Sequence, residues 1–315
     1  MKPDRAVIYF TVCSGTGYGM IISLLFLIFN NELYIDFNSK IVISALSFFL
    51  ISSGLIASTI HLGHPIRAWR ALSQWRSSWL SREGVAAILT FAPLTLFYFF
   101  WIFNNKPELI FIFLSISSFL SIITVFCTAK IYSSLKSIPS WHNPLVPIIY
   151  ILNSLVLGLI INFTILFNFG IKINIIANLI LILCLVTLLI KLLYWYSIRK
   201  PARSNISTAT GLGSKTNTNF FEGPHTGKNF LTSEMINKIK NSKSFILRLT
   251  FCIFTYVTPA NYILELPYLV VSDYVISFTL IIITIIAVIG MFIERYLFFI
   301  DSKHTVSLFY GNKII

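Results

Sequence analysis

The sequence predicts an all-α integral membrane protein, a bundle of about eight transmembrane helices, and three observations carry that prediction. Hydrophobic residues make up 56% of the chain and charged residues only 11%, against roughly 45–50% and 25% in soluble domains. The apolar residues also fall into runs long enough to cross a bilayer, which takes about 20 residues in a helix. Finally, the 24 Lys and Arg residues are shared very unevenly between the two sets of connections that those runs define. In hydrocarbon a backbone must bond its own amides and carbonyls, so runs of this kind are helices. One polytopic domain, residues 1–315, is the simplest organisation.

The runs follow in order. Met1-Lys2-Pro3-Asp4-Arg5 leads into Ala6–Phe29, too long for a signal-peptide core and without a small-residue cleavage site, hence a retained first helix. Ile41–Ile60, Val85–Phe103, Leu109–Thr128, Leu145–Phe169 and Ile175–Tyr196 come next, then Phe245–Leu264 and Tyr274–Phe299. Pro259, Asn261 and Glu265 interrupt the seventh run, so a broken or re-entrant segment is the alternative there. No internal repeat is evident. The abundance of Ile, Asn, Lys and Phe reads as biased base composition.

With eight spans, 21 Lys and Arg residues share the side of both termini, and only Lys40, Lys106 and Lys172 lie opposite. Leaving out the ten from Lys191 through Arg248, in and beside the long loop at about 197–243, the split is still 11 to 3. Cytoplasmic connections carry the positive excess, so the termini, the loop and the stretch His61–Gly84 are expected in the cytoplasm. The net charge of +13 would suggest nucleic acid in a soluble protein. Here it is a topology signal, and the predicted contact is membrane lipid rather than nucleic acid.

Cys13, Cys127, Cys184 and Cys252 are scattered through apolar runs without CxxC spacing, which predicts neither an iron–sulfur cluster in this chain nor a disulfide framework. Of the five histidines only His61 and His64 lie at a helix end, so no bis-histidine haem pair and no metal site are expected.

Between two apolar runs, His61–Gly84 holds Arg67, Arg70, Arg76 and Arg82, three tryptophans, His61, His64 and Glu83. Ile66, Trp69, Leu72, Trp75 and Trp79 recur every three or four residues, opposite Arg67, Arg70, Gln74 and Ser77, which predicts an interfacial amphipathic helix at about 65–80. Two uses fit that pattern. Trp and Arg anchor a segment at headgroup depth, and the four arginines, as planar bidentate donors, also suit docking to an acidic partner.

His61 closes the second apolar run and Glu83 opens the third, which sets both at one depth near the surface. A quinone that gains or loses two electrons and two protons calls for such a pair: an imidazole to hydrogen-bond a ring oxygen and a carboxylate to relay protons. The plainer alternative makes His61 an interfacial residue bonded to backbone. It makes Ser81 an N-cap with Glu83 in the first turn, favoured by the helix dipole. No catalytic residue is assigned. Farther on, Ile138 to Pro144 is a turn with Trp141-His142 between prolines, and Glu294-Arg295 leave an acid and a base near the cytoplasmic end of the last helix.

At these residues the chain resembles the DmsC family, the membrane-anchor subunits of dimethyl sulfoxide reductase and related molybdenum oxidoreductases. The resemblance rests on Phe10-Thr11-Val12 and the glycines after it, and on Ser58-Thr59-Ile60-His61-Leu62-Gly63 with Pro65 and Arg67-Ala68. It continues through Leu80-Ser81 with Glu83, the Ile131-Tyr132 to Ser140-Trp141 turn, and Glu294-Arg295. The stretch His61–Gly84, with Thr208-Ala209-Thr210-Gly211-Leu212-Gly213 and Gly223-Pro224-His225-Thr226-Gly227, looks most like the anchors of cytoplasmic sulfite-dehydrogenase-type complexes.

The resemblance implies a quinone (menaquinone or ubiquinone) held near His61 and Glu83 and no haem. It also implies electron exchange with a four-cluster ferredoxin-like iron–sulfur subunit wired to a molybdopterin catalytic subunit. His64, where some members have a small residue, departs from the pattern. A quinone-reactive anchor of the polysulfide-reductase type is the alternative, and a secondary transporter the alternative from another class.

Overall fold

The apolar runs fold into α1 (Arg5–Phe29), α2 (Phe37–Ile60), α3 (Trp79–Phe99), α4 (Pro107–Ser133), α5 (Leu145–Asn168) and α6 (Asn174–Ile198). A single turn α7 (Ile206–Ala209), α8 (Asn241–Cys252), α9 (Thr258–Glu265) and α10 (Asp273–Ile300) follow. The computed structural model describes residues 4–29, 35–60, 62–104, 106–171, 174–199, 205–212 and 241–310, with positions 218, 221 and 227 between them. Most of the long polar loop therefore lies outside the described residues.

Seven helices among the described residues are long and apolar enough to cross a membrane: α1, α2, α3 with its continuation to Asn104, α4, α5, α6 and α10. The eighth expected span, Phe245–Leu264, is a broken helix. α8 passes into a π turn at Ile253–Val257, where the Thr258 amide reaches back to the Ile253 carbonyl, and α9 resumes with Pro259 in its first turn. Proline brings no amide to the ladder and crowds the turn before it, and the wider π turn absorbs the misfit.

α1 and α5 form the centre of the bundle: 78% and 72% of their apolar windows are buried, against 28–39% for the other five spans. α2 and α4 pack against α1, with α3 lying along α4, whereas α6 and α10 pack against α5, with α8 and α9 lying along α10. The two central helices cross backbone to backbone, since a Cβ on Gly19 would fall 1.8 Å from the Ser154 carbonyl oxygen and one on Gly158 2.1 Å from the Gly19 carbonyl carbon. Without a hydrophobic force between helices in lipid, this close approach supplies the packing. Asn162 locks the crossing by donating to the Met20 carbonyl (2.9 Å) and to Ser23 Oγ (2.7 Å).

Candidate functional site

The site is built on the connection from α2 to α3, beginning with its geometry. Pro65–Gln74, within the amphipathic helix expected at about 65–80, is a 3₁₀ helix, and the regular α-helix begins only at Trp79. The sequence carries the reason: Ile66, Trp69, Leu72 and Trp75 are spaced by three without exception, as are Arg67, Arg70, Ser73 and Arg76, and Ala68, Ala71 and Gln74. At 3.0 residues per turn each set forms a straight line along the helix. Leu72 packs against Gly84 of α3, while Ile66, Trp69 and Trp75 remain exposed.

The turn into α3 reassigns two serines. Ser78, with extended backbone, is the N-cap and accepts the Ser81 amide at 3.5 Å, while the Ser81 hydroxyl donates to the Ala71 carbonyl of the 3₁₀ helix. The cap expected at Ser81 therefore lies one turn earlier. Glu83 consequently falls in the second turn of α3, and no acid occupies the first. The dipole account of Glu83 loses its basis, because that effect fades beyond the first turn.

Glu83 points into the bundle and is 3% exposed. Its Oε1 accepts a hydrogen bond from Thr128 of α4, the helix along which α3 packs most extensively. Tyr18 of α1 and Tyr132 of α4 lie near enough for the carboxylate's charge to act on them. The buried Tyr18 hydroxyl lies beside Thr124 and makes no well-formed hydrogen bond among the described residues. Glu83 with Thr128, and Tyr18 beside Thr124 one helical turn away, thus bring polar side chains of α1, α3 and α4 together. Sequence reasoning missed Thr128 and Tyr18. The only available signal was polar residues at 124 and 128, one helical turn apart on one face of an apolar run.

His61, which follows the last residue of α2, lies outside the described residues. His64 is exposed in the bend before the 3₁₀ helix. Of the four candidate docking arginines, Arg67, Arg70 and Arg76 are exposed, and Arg70 and Arg76 lie 5.5 and 5.6 Å from the rings of Trp69 and Trp75. Arg82 turns back: its Nε donates to the Trp75 carbonyl at 2.9 Å and Nη2 to the Arg76 carbonyl at 2.6 Å, with Trp79 under the guanidinium at 4.3 Å. It pins the 3₁₀ helix to α3, which leaves three arginines facing outward.

The turn at Ile138–Pro144 is structural. Trp141 donates to the Phe298 carbonyl at 2.9 Å and stacks on that ring, and His142 Nδ1 lies 2.8 Å from the Ser133 carbonyl. Two cations counted as topology signals are not at the surface: Lys191 and Arg295 are 3% and 2% exposed and flank Glu294 inside the bundle.

Residues 1–311 match the family described as DMSO reductase anchor subunit (DmsC). The chain belongs to the DmsC family. Along nearly its whole length this DmsC-family protein is 28% identical to the C subunit of the sulfite dehydrogenase of Allochromatium vinosum, a match that spans 99% of both proteins. It is 28% identical to the C component of the anaerobic dimethyl sulfoxide reductase of Haemophilus influenzae, over 52% of its own length and 58% of that protein's. It is 31% identical to the YnfH component of an anaerobic dimethyl sulfoxide reductase of Escherichia coli, over 37% and 41%. The DmsC-family protein is accordingly a multi-pass membrane anchor, and its resemblance to the sulfite-dehydrogenase-type anchors extends from end to end.

Proposed function

We propose that this DmsC-family anchor binds a quinone or quinol beside Glu83. We infer that it exchanges electrons between the membrane pool and a four-cluster ferredoxin-like iron–sulfur subunit, which serves a molybdopterin catalytic subunit. The observation that carries the reading is the placement of Glu83: a carboxylate enclosed by α1, α3 and α4, held by Thr128, in the second turn of α3. A quinone ring is apolar on its faces and polar at two oxygens. Buried walls with one proton-relaying carboxylate and an unpartnered phenol match that chemistry, and His61, next to the end of α2, is the proposed second contact. The quinone supplies the two-electron chemistry. Glu83 holds or passes the proton, Thr128 orients it, and the walls exclude water.

In this reading the 3₁₀ helix lies at the cytoplasmic face of a bacterial inner membrane, both termini are cytoplasmic, and Arg67, Arg70 and Arg76 meet the iron–sulfur subunit. The test is Glu83→Gln in the assembled complex. Quinone-coupled turnover is expected to fall by about 10²-fold, the ordinary scale for a lost proton-transfer group. A soluble electron mediator that reaches the catalytic subunits directly should still sustain wild-type activity. Unchanged quinone-coupled turnover in Glu83→Gln removes Glu83 from the site, and the same comparison for His61→Ala decides the second contact.

A further inference from the structure

A second polar centre lies in the other half of the bundle. Lys191 of α6 lies seven residues before Ile198 and Glu294 six before Ile300, so both sit roughly 10 Å inside their helix ends at about 1.5 Å per residue. Lys191 Nζ donates to Glu294 Oε1, and Arg295 Nη1 lies 3.3 Å from Glu294 Oε2. Lys191, Glu294 and Arg295 are 3%, 1% and 2% exposed. Ionisable groups buried at membrane depth are costly, and they usually mark ion or proton sites.

The charges do not balance. Two cations face one anion, which leaves a surplus positive charge in a low-dielectric interior when both bases are protonated. Arginine keeps its proton under all ordinary conditions, whereas a lysine can give one up. Releasing a proton from Lys191 leaves a neutral amine beside a Glu294–Arg295 pair with no net charge. Among the described residues no second anion lies at contact, and the Tyr194 ring lies 4.9 Å from Lys191 Nζ. Tyr150 lies under the Arg295 guanidinium at 3.5 Å, and Cys252 and Tyr256 come from α8 and the π turn. Asp301 is engaged by Arg248 at 2.6 Å and by Ser244 at 2.8 Å.

A crevice adjoins the cluster. Lined by Lys191, Tyr194, Glu294 and Asp301, it has about 10 Å³ of room for a water centre, roughly the space of one molecule. It leads to Asp301, whose side chain is 17% exposed at the C-terminal end of α10. On the opposite side, towards Tyr150, the packing leaves no such room. Inside, among the described residues, Arg295 Nε has no hydrogen-bond partner and Glu294 Oε2 has only the ion pair with Arg295 Nη1. Buried polar atoms of this kind are normally satisfied by protein or water.

We propose that Lys191, Glu294 and Arg295 form a proton-holding site that exchanges one proton with the aqueous phase through the crevice past Asp301. The proton leaves Lys191 Nζ for water in the crevice and returns by the same path, while Glu294 stays ionised against Arg295. The site stands independently of the quinone reading, and its test contains no quinone.

The test uses the full chain in lipid nanodiscs with lysine labelled at Nζ, followed by nitrogen NMR between about pH 6 and about pH 10, below the ordinary lysine range. The Lys191 signal is identified by its loss in Lys191→Arg and Lys191→Met. A switch of that signal from ammonium to amine within the window is the expected result. Alongside it, Lys191→Met should match wild type in thermal stability at the alkaline end, and Lys191→Arg, with its permanent charge, should be less stable there. A signal that stays ammonium throughout, or Lys191→Arg as stable as wild type while Lys191→Met fails, identifies a fixed structural ion pair and overturns the proposal.

Discussion

At Glu83, one hydroxyl decides what the carboxylate can do. Thr128 donates to Oε1, and a hydrogen bond to a carboxylate in a closed site contributes about 1.5–3 kcal/mol. Thr128→Val keeps the shape and removes the donor. Quinone-coupled turnover of the assembled complex should drop by about tenfold to about 10²-fold, since about 1.36 kcal/mol corresponds to a factor of ten. Mediator-driven activity should not change; equal loss in both assays would show a folding defect instead. Arg82 shows the reverse case. It carries the same charge as Arg67, Arg70 and Arg76, but its guanidinium is spent on two backbone carbonyls. Composition alone does not separate a docking arginine from a bracing one.

Among the elements, the 3₁₀ helix is the unusual one, because ten residues is long for a geometry that seldom runs beyond three or four. Its three lines of residues give it an apolar edge, a basic edge and a third edge of Ala68, Ala71 and Gln74, and Ser81, Leu72 and Arg82 fasten it to α3. Replacing Arg67, Arg70 and Arg76 together by Glu reverses the basic edge without touching those fastenings. The variant should insert normally yet lose the iron–sulfur subunit on co-purification. Wild-type association should weaken on raising salt, because exposed charges are screened beyond about 10 Å at 0.1 M. Full retention of the subunit by the triple variant would place the docking surface elsewhere.

For the whole molecule, the broken helix from α8 to α9 decides the topology. Asn241–Glu265 is long enough to cross, but the π turn and Pro259 divide it. If it crosses, both termini share a side, in keeping with the charge distribution expected for eight spans. A fluorescent reporter that matures only in the cytoplasm should therefore glow when fused to either end. Opposite results at the two ends would mean seven crossings and a re-entrant segment.

Much of this was legible in the amino-acid sequence. Helical spans, their number to within one, the interruption at Pro259 and the polar island between α2 and α3 follow from composition and run length, because lipid permits few alternatives to a helix. Glu83 was legible as a candidate because a lone acid beside an apolar run is conspicuous. Its second-turn position was not, since three serines near the helix start compete for one cap and only the fold selects Ser78. Thr128 could not be paired with Glu83 from sequence, as 45 residues separate them and only the packing of α3 on α4 joins them. Lys191 and Arg295 were counted as surface cations because positive charge near a helix end ordinarily signals topology. Their burial against Glu294 follows from how α6 meets α10. The sequence by itself determined the solvent this protein lives in, the helices that span it and the side its charges favour, since those depend on local composition against lipid and water. Which polar groups meet inside was left to tertiary structure, because contact between residues of distant helices depends on how the helices rotate and cross.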